Sequence, residues 1–492
     1  MRKKIDNSRP DPVLPVALNA KKMERYQARY TYLDNIRNIL VYNVVFVHII
    51  CVFGYPLMFW WSSIDKNGSS RVYENLLITM DIYLMPLLIF IAALFIFPSL
   101  NAKTTLGYIK KRFFRLCVPL IVFIFCAGDF FYQVLLKRLG NHDPSYLRTF
   151  PDFWRDFKNF SVISFIGEGK MLNEVRFTLS HLWFLAFLFF MTLLVVLVAI
   201  PFRKKGERRR KVDSRKKIII KTCMLAVTLS LFYAAASIFF PLKGIRFDSW
   251  IRLFGLIQVR ISQFWMLLPL FLFGLHMYRK NWLTRGDIGS WKMWGLLSAV
   301  SVFLFALLIH NGLLPTLDEL HKVAEHNYIF ADKVPFPIIP ASFKLSWLIM
   351  SLLQLPIALF LLMFFLSFAK RFFNKTNKIT EFCSKHSINV YILHFIPVII
   401  LQYSLVSIPV APIVKAVAII IIVIPACLWL SHYLVYPYPL VAISFFIALK
   451  LASLVLGFNF YYIALLTLLL VSFAGALYES ARLLVSVKTP SP

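Results

Sequence analysis

The sequence predicts an all-α protein, a polytopic bundle of about 10–12 membrane-spanning helices with its N-terminus in the cytoplasm. Three observations predict it. Of 492 residues, 59% are hydrophobic and only 16% are charged, whereas roughly a quarter charged is usual for a soluble domain. Apolar runs of about 20 residues, the length that crosses a bilayer core of roughly 30 Å, recur along the chain. The basic residues behind the net charge of +31 gather in alternate connections between those runs, as positive-inside topology requires.

Hydropathy places the spans near Ile39 to Trp61, Leu76 to Phe97, Leu116 to Leu136, Leu182 to Phe202, Ile218 to Leu242 and Phe264 to Met277. The others lie near Trp294 to Leu314, Leu345 to Ala369, Ile388 to Ile408, Ala411 to Val435, Leu440 to Phe458 and Tyr461 to Leu477. The sixth is short and its start is expected further upstream, near Gln258 and Arg260. The last two form a C-terminal pair, with Lys450 inside the first. Three regions follow: a basic cytoplasmic tail over 1–31, a membrane domain over 32–435, and the C-terminal hydrophobic pair and short tail over 436–492.

The tail, the second loop and the stretch RKKGERRRKVDSRKKIIIK from Arg203 to Lys221 are strongly basic. The loop after the third span mixes signs, with Asp143, Arg148, Asp152, Arg155, Asp156 and Lys158. The first set is expected in the cytoplasm and the second outside. Cations distributed this way match anionic lipid, and they argue against nucleic acid as a partner. The six cysteines show no metal-ligand spacing, so no metal is expected. The polar first thirty residues hold no apolar core of a signal peptide, and the first span is expected to direct insertion.

Ionisable side chains inside spans are costly and are therefore candidates for function. Arg37 and His48 stand eleven residues apart, about 16 Å along a helix, which puts His48 near mid-membrane. Two readings fit His48. It can act as a general base, since an ordinary imidazole is mostly neutral at pH 7, or it can be a packed histidine with Arg37 as an interfacial anchor. Arg112 and Arg115, three apart in KKRFFRLCVP, share a helix face. They can bind the phosphates of a nucleotide-containing donor, or they can be topogenic charge alone. His181 in SHLWFL and His394, Ser387 and Tyr391 in SINVYILHF are pocket candidates. So are Asp81 and Glu74, either of which can orient a catalytic histidine.

These segments, in this order, resemble the acyltransferase-3 family of integral membrane O-acyltransferases. LDNIRNILVYNVVFVH is similar to its first-span signature, KRFFRLCVP to its Arg-x-x-Arg element, SHLWFLAFLFFMTLL to its fourth span, and SINVYILHF to its late Ser, Tyr and His pattern. ITMDIYLMPLLIFIAALF resembles the second span, with Ala92 and Ala93 where the family often has Ser-Gly, and FLFGLHMYR resembles a glycine-containing middle span. The similarity runs from about Tyr32 to Val435, and LDNIR with SHLWFL points to the periplasmic glucan succinyltransferase subgroup. The resemblance implies an acyl-CoA donor, no bound cofactor, and a hydroxyl acceptor on a cell-envelope glycan or glycolipid at the inner membrane. Succinylation or acetylation of a periplasmic glucan is the corresponding expectation. It also implies His48 as base, supported by Arg37, with Arg112 and Arg115 on the donor and His181 and His394 in the pocket. The rival readings are a transporter or flippase for an envelope glycan or lipid precursor, and a scaffold subunit. The acyl group, the acceptor and the oligomeric state are not readable from the sequence.

Overall fold

A computed structural model describes residues 31–54, 61, 63–101, 104–130, 134, 154, 163–166, 179–199, 213–242, 247, 250–253, 257–283, 286–313, 341–375, 377–457 and 460–488. The basic tail, much of the loop after the third expected span and residues 203–212 lie outside the described residues.

Helix α1 is Thr31–Ile50, prolonged by a 3-10 turn at Cys51–Phe53. Then come α2, Arg71–Leu94, the short α3, Ile96–Asn101, and α4, Thr105–Ala127. Helices α5, Trp183–Ala199, and α6, Arg215–Leu242, precede α7, Ile261–Arg279, which opens the expected sixth span upstream of Phe264. Next stand α8, Trp291–Leu308, α9, Ala341–Phe372, and α10, Lys378–Leu393. Then α11, Phe395–Leu405, α12, Pro412–Leu430, α13, Pro439–Leu456, and α14, Phe460–Lys488, complete the chain.

Among the described residues, nine helices are long and apolar enough to cross a membrane, or ten with α10 and α11 counted as one span bent by 60°. The fold is thus the polytopic helical bundle expected. The third expected span begins inside α4, whose first half carries Lys110, Lys111, Arg112 and Arg115; its far end lies largely outside the described residues. The twelfth, expected near Tyr461 to Leu477, lies within α14, whose apolar stretch includes Ile463–Gly475. Two boundaries differ from hydropathy because polar residues are helical too. The first span starts at Thr31 rather than Ile39, so Arg37 stands two turns inside it. The ninth starts at Lys378 rather than Ile388, where Asn377 and Thr380 form a reciprocal capping box.

Large apolar side chains cover the bundle's outside, among them Leu231 and Phe232 on α6, Leu296 and Phe303 on α8, and Val455 on α13. Water does not tolerate so continuous an apolar surface, whereas lipid does. Helices α1, α2, α7, α9 and α10 pack together at the centre. The α2–α7 approach is close because Gly274 has no side chain: a Cβ there would stand 2.8 Å from the Phe90 carbonyl oxygen and 2.9 Å from Ala93 Cβ. The middle-span glycine and the small residue at position 93 are therefore one packing device.

A small antiparallel sheet, which hydropathy does not predict, stands among the helices. It has the order β1, Ile163–Ile166, β2, Trp250–Leu253, and β3, Ile257–Arg260. Ile163 pairs with Leu253 and Trp250 with Arg260, so β3 leads directly into α7.

Among the described residues, two ion pairs are buried. Lys415 Nζ on α12 donates to Asp65 Oδ2 at 2.7 Å. Lys450 Nζ on α13 donates to Asp129 Oδ1 at 3.1 Å, and the Tyr461 hydroxyl of α14 donates to the same oxygen at 2.6 Å. Asp129 follows the end of α4, so the C-terminal pair is bolted to the bundle by polar bonds.

Candidate active site

Three histidines from distant segments meet at the bundle centre. His48 belongs to the last turn of α1, His181 to a 3-10 turn at Ser180–Leu182 leading into α5, and His394 to the break between α10 and α11. Ring centroids of His394 stand 5.1 Å from those of both His48 and His181, and the remaining pair is separated by 6.0 Å. His181 and His394 are almost wholly buried, whereas His48 is half-buried.

The hydrogen bonds decide which nitrogen carries each proton. A carbonyl oxygen only accepts, so His394 Nδ1–H donates to Val390 O, at 3.0 Å. In a neutral imidazole His394 Nε2 is then an acceptor. It lies 2.8 Å from His48 Nδ1, which must donate. The remaining lone pair of this relay is therefore on His48 Nε2. His181 Nε2 donates to Tyr391 O at 3.1 Å, and the Tyr391 hydroxyl returns a bond of 2.5 Å to His181 O. That leaves His181 Nδ1 as a second lone pair, buried and without a hydrogen-bond partner. His48 and His394 thus form one hydrogen-bonded chain that ends on Val390 O, and two ring lone pairs, His48 Nε2 and His181 Nδ1, stay open beside it. No metal-ligating group of His, Cys, Asp and Glu is found among the described residues.

The surroundings hold the rings in place. Phe395 stacks on His181 with centroids 4.4 Å apart, and Trp61 stacks on His48 at 5.7 Å. Trp61 Nε1 donates to Gln402 Oε1 at 3.0 Å; Gln402 Nε2 donates in turn to the carbonyls of His48 and Ile49 at 2.8 and 2.9 Å. The Trp61 loop is fastened further on by Asp65 and Lys415. Ser180, just before His181, has φ of 50°, a left-handed conformation unusual for a side-chain-bearing residue and one that clusters at functional sites.

Arg37 bonds Asp34 at 3.0 Å and Ser384 Oγ at 3.4 Å. Arg115 lies within electrostatic reach of Arg37, Arg112 and Asp34, so the three arginines form one cationic cluster at the polar end of α1. Arg112 Nε also donates to the Tyr108 hydroxyl at 3.2 Å. Asp34 is the acidic group within reach of all this positive charge.

Other sequence candidates lie elsewhere. Ser387 donates to Ser384 O at 3.1 Å, nearer the arginines than the histidines along α10. Neither carboxylate orients His48, because its Nδ1 is taken by His394. Glu74 is paired with Arg71 at 3.0 Å, and Asp81 with Arg260 at 2.8 Å. Trp61, Gln402 and Phe395 were not singled out from sequence. Gln402 and Lys415 carried a signal, being polar residues at the edges of apolar runs, whereas nothing local marks Trp61 or Phe395.

Comparison with known proteins gives one match. The acyltransferase-3 family model, described as an acyltransferase domain, matches residues 30–432. No curated protein and no solved structure matches the chain.

Proposed function

Because the chain belongs to the acyltransferase-3 family, and so is a multi-pass membrane acyltransferase, we propose that it transfers an acyl group from acyl-CoA to a hydroxyl of a cell-envelope glycan or glycolipid. Succinyl or acetyl transfer to a periplasmic glucan at the inner membrane is the specific form of this reading. The observation that carries it is the pairing of two features on one helix. At one end of α1 lies the Arg37, Arg112 and Arg115 cluster; about 16 Å along it lies a base whose free nitrogen is fixed by its partners. A pantetheine arm has to bridge such a gap between the phosphates of CoA and its thioester.

In the proposed step His48 Nε2 takes the proton of the acceptor hydroxyl as its oxygen attacks the thioester carbonyl. The C–O bond forms, the C–S bond breaks, and the proton passes from His48 to the departing CoA thiolate. His394 keeps His48 in the required tautomer and shares its transient charge through the 2.8 Å bond. No acyl-enzyme is needed, because the thioester already has a good leaving group.

Direct assay tests this reading. Purified protein with acetyl-CoA or succinyl-CoA and β-linked glucose oligosaccharides is expected to release CoA and yield acylated sugar by mass spectrometry. Transport of the sugar into vesicles without acylation would instead support the flippase alternative. The donor site has its own test. Changing Arg112 and Arg115 together to Gln is expected to leave insertion intact and raise the acyl-CoA concentration for half-maximal rate by at least about tenfold, one charge-assisted contact being worth roughly 1.5–3 kcal/mol. An unchanged donor requirement would mean that the two charges serve only topology.

Donor entry from the cytoplasm requires the orientation that the basic loops predict. Reporters fused after Arg210 and after Asp143 are expected to report opposite sides, with Arg210 inside. Both reporting one side would refute that orientation.

A further inference from the structure

Asp81 lies ten residues into α2, about 15 Å along its axis and inside an apolar span. Its side chain is nonetheless 47% exposed. Arg260, at the end of β3, donates from Nη2 to both Asp81 oxygens at 3.0 and 2.8 Å. Gln263 Nε2, on the first turn of α7, donates to Asp81 Oδ1 at 3.0 Å. A carboxylate and a guanidinium held open at this depth are costly against hydrocarbon, and so mark a candidate polar recess. Gln263 itself is only 4% exposed, and its Oε1 has no hydrogen-bond partner. An acceptor atom kept buried and unpaired beside an open ion pair is placed for a donor that arrives from outside the chain.

The recess is tied to the histidines. Gln258, two residues before Arg260 and on the same face of β3, accepts the Leu179 N–H through Oε1 at 3.1 Å, two residues ahead of His181. The Asp81 and Arg260 charges cancel, so the recess favours neither an anionic nor a cationic partner. What it offers is carboxylate and amide acceptors interleaved with guanidinium donors. Neighbouring hydroxyls, each both donor and acceptor, match that pattern.

Resting on the acyl-transfer reading above, we infer that Asp81, Arg260 and Gln263 form the subsite that binds neighbouring hydroxyls of a neutral sugar acceptor and delivers one of them to His48. The experiment measures CoA release and sugar acylation separately, with acetyl-CoA or succinyl-CoA as donor and cellobiose or laminaribiose as probe acceptor. Gln263→Leu is expected to raise the sugar KM about five- to tenfold, the worth of one neutral hydrogen bond. Its donor KM should stay within about twofold of wild type. The exchange Asp81→Arg with Arg260→Asp keeps an ion pair but inverts donors and acceptors. It is expected to retain the wild-type melting temperature while the sugar KM stays raised. An unchanged sugar KM in Gln263→Leu, or its recovery in the exchanged pair, would overturn the subsite alone. Wild-type protein whose CoA release no sugar stimulates would overturn the acyl-transfer reading and the subsite with it.

Discussion

His48→Gln is expected to fold, bind acyl-CoA, and lose about 10²–10⁴-fold in turnover, the usual cost of removing a general base. Glutamine still offers an amide N–H to His394 Nε2, so the hydrogen bond that fastens α1 to the α10–α11 break survives. What disappears is the basic nitrogen at the other end of the ring. His48→Ala removes both and is expected to be at least as inactive, with an added loss of stability from the space left against Trp61 and Phe395. The decisive measurement is single-turnover acyl transfer at saturating acyl-CoA, which separates chemistry from binding. Near-wild-type transfer by the folded Gln variant would reduce His48 to a packing residue. His181 Nδ1, the other open lone pair of the cluster, would then become the group to test.

Lys450→Met is expected to destabilise the folded protein by about 3–5 kcal/mol, the usual cost of leaving one partner of a buried ion pair alone. Both side chains are fully enclosed, at 0% exposure each, and Asp129 Oδ2 has no hydrogen-bond partner to share the load. Combining Lys450→Met with Asp129→Leu removes both charges and is expected to recover most of the lost stability, as apolar replacements of buried pairs commonly do. Thermal unfolding in detergent, followed by intrinsic fluorescence, compares the three proteins. A single variant that melts with the wild type would show that the C-terminal pair rests on the bundle without that bond. These residues lie far along the chain from the histidines, and 450 is beyond the family match, so transfer per folded molecule is expected to persist.

The architecture was largely legible because a span announces itself locally. Twenty apolar residues, flanked by charge of one sign, need no knowledge of any other part of the chain. The Arg37 and His48 pairing was legible for the same reason, as both sit on one helix with a known rise per residue. The meeting of His48 with His181 and His394 was not. It depends on α10 starting in the polar run KITEFCSKHS and on the 60° break at His394, neither of which leaves an apolar signature. Asp81 was visible as a costly carboxylate, but its partner Arg260 is 179 positions away. A pairing over that separation is a property of packing. The sheet is not legible in the sequence because four-residue strands in mixed-sign loops carry too little periodicity to stand out.

The relay that runs from Val390 O through His394 to His48 has a consequence for where such a site can be housed. In soluble hydrolases the histidine is commonly oriented by an aspartate, which brings a permanent formal charge. Here the orienting group is a neutral ring, itself anchored by a peptide carbonyl. The Born self-energy of a carboxylate in a medium of low permittivity is about 20 kcal/mol in the idealised limit, and still several after relaxation. A resting chain of uncharged dipoles avoids that energy altogether, and in the proposed step it ionises only while the transferred proton is in transit. The backbone contributes its share irrevocably, because no side-chain substitution can delete the carbonyl of residue 390. Engineering the orientation of this base therefore has to act through the geometry of the helix break.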